Sequence, residues 1–82
     1  SKVAEHSLKL SLYPNPTLDV INISSTSTIT DYNIYNMIGN KVMSTNVNAS
    51  NAVVDMSTLT KGVYFVKVNQ TGIITIKRII KK

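Results

Sequence analysis

Cysteine is absent from this sequence of 82 residues, and histidine occurs once, as His6. A chain without cysteine has no disulfide and no thiolate ligand for zinc, so packing and backbone hydrogen bonds must hold its fold. No apolar run approaches the length that a membrane-spanning helix needs. The first residues are polar and do not begin with Met, so we expect no signal peptide there and a longer parent protein. The last residues are typical of a natural C-terminus.

Residues able to support catalysis are also scarce. Asp19, Asp31 and Asp55 fall in or beside different predicted strands, and their spacing does not pair any two of them as acid and base. The three glycines do not form a phosphate-binding loop. Residues 31–36 begin like a calcium-binding loop, but Tyr35 stands where that loop carries Asp or Asn. We therefore expect no enzyme, no cofactor and no bound metal.

Charged residues make up only 16% of the chain, yet the formal net charge is +5. Four of the nine basic residues lie in the last six positions, at Lys77, Arg78, Lys81 and Lys82. Such a cluster indicates either a patch for an anionic partner or an edge strand whose lysines prevent aggregation. Composition alone favours the edge strand. We expect no nucleic-acid binding, because no aromatic residues interleave with the basic ones.

Apolar and polar residues alternate with a period of two along most of the chain, which is typical of half-buried strands. The alternation predicts seven short strands, near residues 8–12, 19–23, 29–37, 41–43, 53–56, 63–69 and 73–80. Residues 24–28 are predicted as a polar turn, and residues 45–51 as a loop. The pattern predicts one all-β domain over residues 8–82, an immunoglobulin-like antiparallel β-sandwich of about seven short strands. Residues 1–7 are predicted to be a linker.

Proline and glycine mark the predicted turns. Pro14 and Pro16 end the first strand, and Asn15 between them can close a turn, so these three residues are expected to fix the corner before the second strand. Gly39, Gly62 and Gly72 are expected to adopt positive φ angles in later turns.

Four motifs occur in order along the chain. They are LYPNPT at residues 12–17, followed by Val20 and Ile23, then YNMIGNKV within residues 34–42, LTKGVYFVKV at residues 59–68, and KRIIKK at residues 77–82. In this order and spacing they resemble the type IX secretion C-terminal sorting domains of Bacteroidetes, specifically the type A class. The resemblance covers residues 8–82. The chain departs from the family pattern at Ile38 and Asn40, where polar and basic or Gln residues are common.

The resemblance implies that the domain ends a larger cargo protein and directs it, through the periplasm, to the cell surface or out of the cell. The implied partners are the type IX outer-membrane translocon, its shuttle protein and a sortase. The sortase would usually remove the domain near residues 1–7 and could link the cargo to anionic lipopolysaccharide. We expect recognition to use the terminal hairpin, with candidate residues Lys77, Arg78, Ile79, Ile80, Lys81 and Lys82. A mainly structural role is expected for the other motif residues, which are Pro14, Asn15, Pro16, Gly39, Lys41, Val42, Gly62 and Tyr64.

Two other interpretations fit a small β domain. A fibronectin-like or carbohydrate-binding module of a secreted enzyme would use the tyrosines as a binding face, and glycan binding would reveal it. An adhesive repeat from a surface protein predicts tandem copies in the parent gene, whereas a sorting domain is expected once, at the end.

Overall fold

The alternating residues form five strands: β1 (Leu10–Tyr13), β2 (Val20–Tyr35), β3 (Lys41–Asp55), β4 (Gly62–Gln70) and β5 (Ile73–Lys81). The computed structural model describes residues 10–17 and 19–82, and within them there is no helix. The predicted linker, residues 1–7, and the start of the first predicted strand at Leu8 lie outside the described residues. Every strand pairing is antiparallel, so the all-β antiparallel prediction is confirmed.

Strand β2 is the centre of a curled sheet. Its first half pairs with β1 and with the second half of β3. Its second half pairs with the first half of β3 and with β4, and β4 in turn pairs with β5. One long strand therefore belongs to two groups of neighbours, and the sheet bends where β2 passes from one group to the other.

The predicted turn at residues 24–28 and the predicted loop at residues 45–51 are wrong, because both segments continue as strand. The ladder between β2 and β3 shifts register after Ser24 and again after Ile29, so extra residues bulge out of regular pairing. Ser25 Oγ accepts a hydrogen bond from the N–H of Ser27 at 3.0 Å, and Asn48 has a positive φ of 57°. These local kinks let polar segments stay in the sheet. An immunoglobulin-like sandwich of about seven short strands is accordingly not confirmed, since five strands replace seven.

The core lies on the concave side of the curled sheet and draws on every strand from β2 to β5. Strand alternation is visible in β4, where Tyr64, Val66 and Val68 are buried while the residues between them are not, as the sequence predicted. Each fully buried Val or Ile stabilises the fold by about 1.5–3 kcal/mol. The buried apolar residues form one cluster: Ile21, Ile23, Ile29, Tyr32, Ile34, Val54, Met56, Tyr64, Val66, Val68 and Ile79.

One buried polar side chain joins the two halves of the sheet. Gln70, at the end of β4, is fully buried, and its Nε2 donates to Ser25 Oγ at 2.7 Å. Thr75 Oγ1 donates to Gln70 Oε1 at 3.4 Å. A buried amide is tolerated only when it is hydrogen-bonded, so these contacts fix the terminal hairpin against the bend in β2.

Candidate functional site

The four sequence motifs lie side by side in the folded sheet. Thr17 of the first motif forms a parallel bridge with Lys81 of the fourth. Lys81 stands opposite Gly62 of the third motif, and Phe65 of the third stands opposite Tyr35 of the second. Across the sheet, the first motif therefore lies beside the fourth, the fourth beside the third, and the third beside the second. This order brings segments from both ends of the chain together.

The turn that precedes β2 is fastened to the outer edge of β5. Asn15 Nδ2 donates to the carbonyl oxygen of Arg78 at 3.2 Å, and Asn15 Oδ1 accepts from the N–H of Ile80 at 3.1 Å. The backbone N–H of Thr17 donates to the carbonyl of Ile80 at 2.8 Å, and the N–H of Lys82 donates to the carbonyl of Thr17 at 2.7 Å. We call these four hydrogen bonds the β5 clamp. The side-chain amide of Asn15 thus forms the same pair of hydrogen bonds, one donated and one accepted, that the backbone of a neighbouring strand would form.

Pro14 and Pro16 flank Asn15 in the corner between β1 and β2, where their sequence position predicted a turn. Both are exposed, and both of their peptide bonds are cis. Thr17, which follows, is buried, and its Oγ1 donates to the carbonyl of Val20 at 2.7 Å while accepting from the N–H of Asp19 at 3.2 Å. The corner is therefore held by its own hydrogen bonds as well as by the β5 clamp.

Alternation along β5 divides the candidate recognition residues between two faces of the sheet. Lys77, Ile79 and Lys81 share the core-facing side, where Ile79 is fully buried opposite Tyr64 and Lys77 is exposed. Arg78 and Ile80 point to the opposite side. The cations thus flank the edge of the sheet on both faces, and Ile79 belongs to the core.

Tyr64 and Gly62 shape the loop that leads into β4. The hydroxyl of buried Tyr64 donates to the carbonyl of Thr60 at 2.7 Å and lies 3.2 Å from Thr60 Oγ1. Gly62 has a φ of +152°, which side-chain-bearing residues rarely adopt, and a Cβ there would meet no atom within 4 Å. The backbone conformation, and not a lack of space, requires glycine at this position.

A tight turn joins β2 to β3. The side-chain oxygen of Asn36 accepts hydrogen bonds from the N–H of Ile38 at 3.1 Å and from the N–H of Asn40 at 2.9 Å. Gly39 has a φ of +91°, in keeping with the predicted turn. Asn36, which the sequence placed in a strand, is therefore the residue that closes the turn.

An open groove of about 250 Å³ lies between this turn and the loop that leads into β4. Exposed Met37 and Ile38 line one side, and Lys61 lies on the other. Lys41 and Val42 begin β3 nearby and are also exposed. The second and third motifs therefore meet at a surface that is both apolar and cationic.

Most of the positive charge of the site is not neutralised inside the described part of the chain. Lys81 Nζ donates to the backbone oxygen of the last residue, Lys82, at 3.5 Å, and no other lysine or arginine among residues 10–17 and 19–82 is paired with an acidic group. Asp55, exposed at the end of β3, has a pKa held below its ordinary value by hydrogen bonds from the Ser57 hydroxyl and from the Ser57 N–H, whose nitrogen lies 2.9 Å from Oδ1. The site thus offers cationic, apolar and backbone groups for non-covalent contact.

Within the same described residues, no three His, Cys, Asp or Glu side chains lie close enough to share a metal ion. That part of the chain also contains no helix with the length and apolarity of a membrane span.

A sequence profile of the family described as the secretion system C-terminal sorting domain matches residues 11–82. The match includes all four motifs. This chain belongs to that family. A type IX sorting domain directs export to the cell surface or secretion, and the family is not a catalytic one. A search of curated proteins finds no similar sequence.

The sorting domain contains functional candidates that the sequence alone did not single out. Thr17 supplies two of the four hydrogen bonds of the β5 clamp, although only its position after Pro16 marks it in the sequence. Ile73, Ile74 and Ile76 are exposed on β5, within the strand that the sequence predicted over residues 73–80. β5 is the last strand of the sheet, and among residues 10–17 and 19–82 no further strand pairs with its outer edge near Ile73.

Proposed function

We propose that this sorting domain acts as an address for a cargo protein and is recognised, while folded, through the terminal strand β5. The observation that carries the proposal is the position of β5, which contains the fourth motif, between the first and third motifs, while the second motif lies one strand further on, beside β4. The first motif holds its outer edge and the third pairs with its inner edge. A recognition element held on both sides presents a defined surface at low entropic cost.

Cationic groups of the terminal segment are proposed to provide the main recognition contacts. Lys77, Arg78 and Lys82 are exposed, and Lys81 is half-buried. Ile79 instead packs in the core and Ile80 pairs with Thr17, so both would hold the terminal segment in place without contacting the partner directly. Lys77 and Arg78, which form no ion pair within the described residues, suit an acidic surface on the translocon or on its shuttle protein.

A reporter export assay tests the proposal. We expect a reporter fused ahead of the chain to reach the surface of a type IX-competent cell, and a version lacking residues 77–82 to remain in the periplasm. Deletion also removes Ile79 from the core, so a fourfold variant, Lys77→Gln, Arg78→Gln, Lys81→Gln and Lys82→Gln, separates charge from folding. Lys41→Gln with Lys61→Gln is the control. Normal export of the fourfold variant would refute recognition through these cations.

Further steps of the pathway follow from the family and are proposed on that basis. The cargo would pass through the periplasm, and a sortase would usually cut at or before the proposed linker, near residues 1–7, ahead of the domain over residues 8–82. The sortase would then link the released cargo to anionic lipopolysaccharide, without contact between that lipid and this domain.

The immunoglobulin-like two-layer arrangement is also proposed. The two halves of β2, each with its own partners, would form the layers. The single core cluster between them supports this.

A further inference from the structure

Within the part of the chain that the structure describes, only half of the outer edge of β5 is paired. The β5 clamp occupies the backbone groups of Arg78, Ile80 and Lys82, which point away from β4. Because successive residues of a strand direct their backbone groups to alternate edges, those of Ile74 and Ile76 also point away from β4. No strand among the described residues pairs with them. We call this stretch the open edge.

Apolar side chains surround the open edge on both faces. Ile74 is 48% exposed and Ile76 is 61% exposed on one face, and Ile73 is 48% exposed on the other. A strand edge with unpaired backbone groups and large apolar side chains favours the addition of another strand, and proteins usually protect such edges. This one lacks a protecting proline or bulge between residues 73 and 81.

Positive charge lies at the end of the open edge nearer to the clamp. Lys77 is exposed on the core-facing side and Arg78 on the other side, while Lys67 stands directly opposite Ile76. None of these three forms an ion pair with the described residues. The charge would repel a second copy of the same cationic edge, whereas it would attract an acidic chain.

The geometry points to the open edge as a docking site for an extended segment of a partner protein, in which apolar residues alternate with acidic ones. The segment adds a strand to β5 beside Ile74 and Ile76, and its acidic side chains face Lys77 and Arg78. Residues 15–17 already show that this edge accepts a neighbouring strand, since they pair with its other half. This inference rests on the proposed function, and it identifies the partner of the same strand as a β-strand donor.

The test compares single substitutions in the reporter fusion. Ile76→Lys places a charge on the open edge, and Ile76→Pro removes the outward N–H without touching the ladder to β4. Val53→Lys is the matched control, since Val53 is 67% exposed on β3. Lys77→Glu is compared with Asn46→Glu, which places a carboxylate at an exposed position of β3. We expect export to fall about tenfold or more for the three open-edge variants and to stay within about twofold of the unmodified fusion for both controls.

Thermal melting of the 82-residue chain shows which variants fold. Ile76→Lys decides the test if Ile76→Pro does not fold. Normal export of a folded Ile76→Lys variant would overturn the inference and leave the proposed function intact. Failure of the unmodified fusion to be exported would defeat the proposed function itself.

Other occupants of the open edge have their own signatures. A dimer of the isolated chain that Ile76→Lys converts to a monomer would assign the edge to a second copy. Binding to anionic vesicles that is lost in Ile76→Lys would assign it to lipid. Slow amide exchange at Ile74 and Ile76 that becomes fast after removal of residues 1–9 would assign it to this chain. Each of these results would overturn the inference.

Discussion

Replacing Asn15 by Ala is expected to loosen the end of β5. The substitution removes two of the four hydrogen bonds of the β5 clamp, those to the backbone of Arg78 and Ile80. Each bond contributes a net 0.5–1.5 kcal/mol, and both are at the surface, so the expected loss in the free energy of unfolding is about 1–2 kcal/mol. For a domain of this size, such a loss lowers the Tm by about 5–15 °C.

Calorimetry and amide hydrogen exchange measure this effect. The N–H of Ile80 should exchange faster in Asn15→Ala, because its acceptor is lost. Asn15→Asp keeps that acceptor but not the donor to Arg78, so it should fall between Asn15→Ala and the unmodified chain. Asn46→Ala is the control, since the side chain of Asn46 forms no hydrogen bond within the described residues. An unchanged Tm together with unchanged exchange at Ile80 would refute the role assigned to the clamp.

Three further predictions concern single residues. Gly62→Ala should lower the free energy of unfolding by about 1–3 kcal/mol, because its φ of +152° is unfavourable for L residues. D-alanine at position 62, introduced by chemical synthesis, should cost much less, and equal losses would contradict this explanation. Thr71→Asn should raise the Tm, because β-branched Thr71 has a φ of 50° in the hairpin turn before Gly72, where Asn is favoured; a lower Tm would show that the Thr71 hydroxyl contact dominates. The carboxyl of Asp55 should titrate by NMR below its ordinary pKa of 3.8. The ionised Asp55 carboxylate thus stabilises the fold fully above its ordinary pKa, and this contribution is lost as the pH falls through the lowered pKa of the folded state. Ser57→Ala should shift the pKa of Asp55 back upward.

Local patterns predicted the terminal hairpin well. The alternation of residues 63–69 and 73–80 and the intervening Gly72 place β4, the turn and β5 within one residue of their observed bounds. Hairpins depend on contacts between residues that are close in sequence, so short-range alternation and turn chemistry carry enough information.

The continuity of β2 and β3 could not be predicted in the same way. Residues 24–28 contain only Ser and Thr, which suit both a turn and a bulged strand. Pairing across the sheet decides between them, and that pairing joins residues far apart in sequence. The contact between Asn15 and the backbone of β5 spans 63 and 65 positions, so no local pattern reveals it. The motifs indicated the family, but the sequence could not show that they meet.

The parallel arrangement of residues 15–17 and the end of β5 has a mechanical consequence. A stretching force applied between β1 and the last residue pulls these two segments along their length in opposite directions. The four hydrogen bonds of the β5 clamp would then be strained together in shear, and not opened one after another. A pull on the two ends of β4 and β5 at Gly62 and Lys81, by contrast, would unzip paired residues in sequence from that end. The contact between the first and fourth motifs thus resists a pulling force that acts between the cargo side of the domain, at β1, and the end of β5.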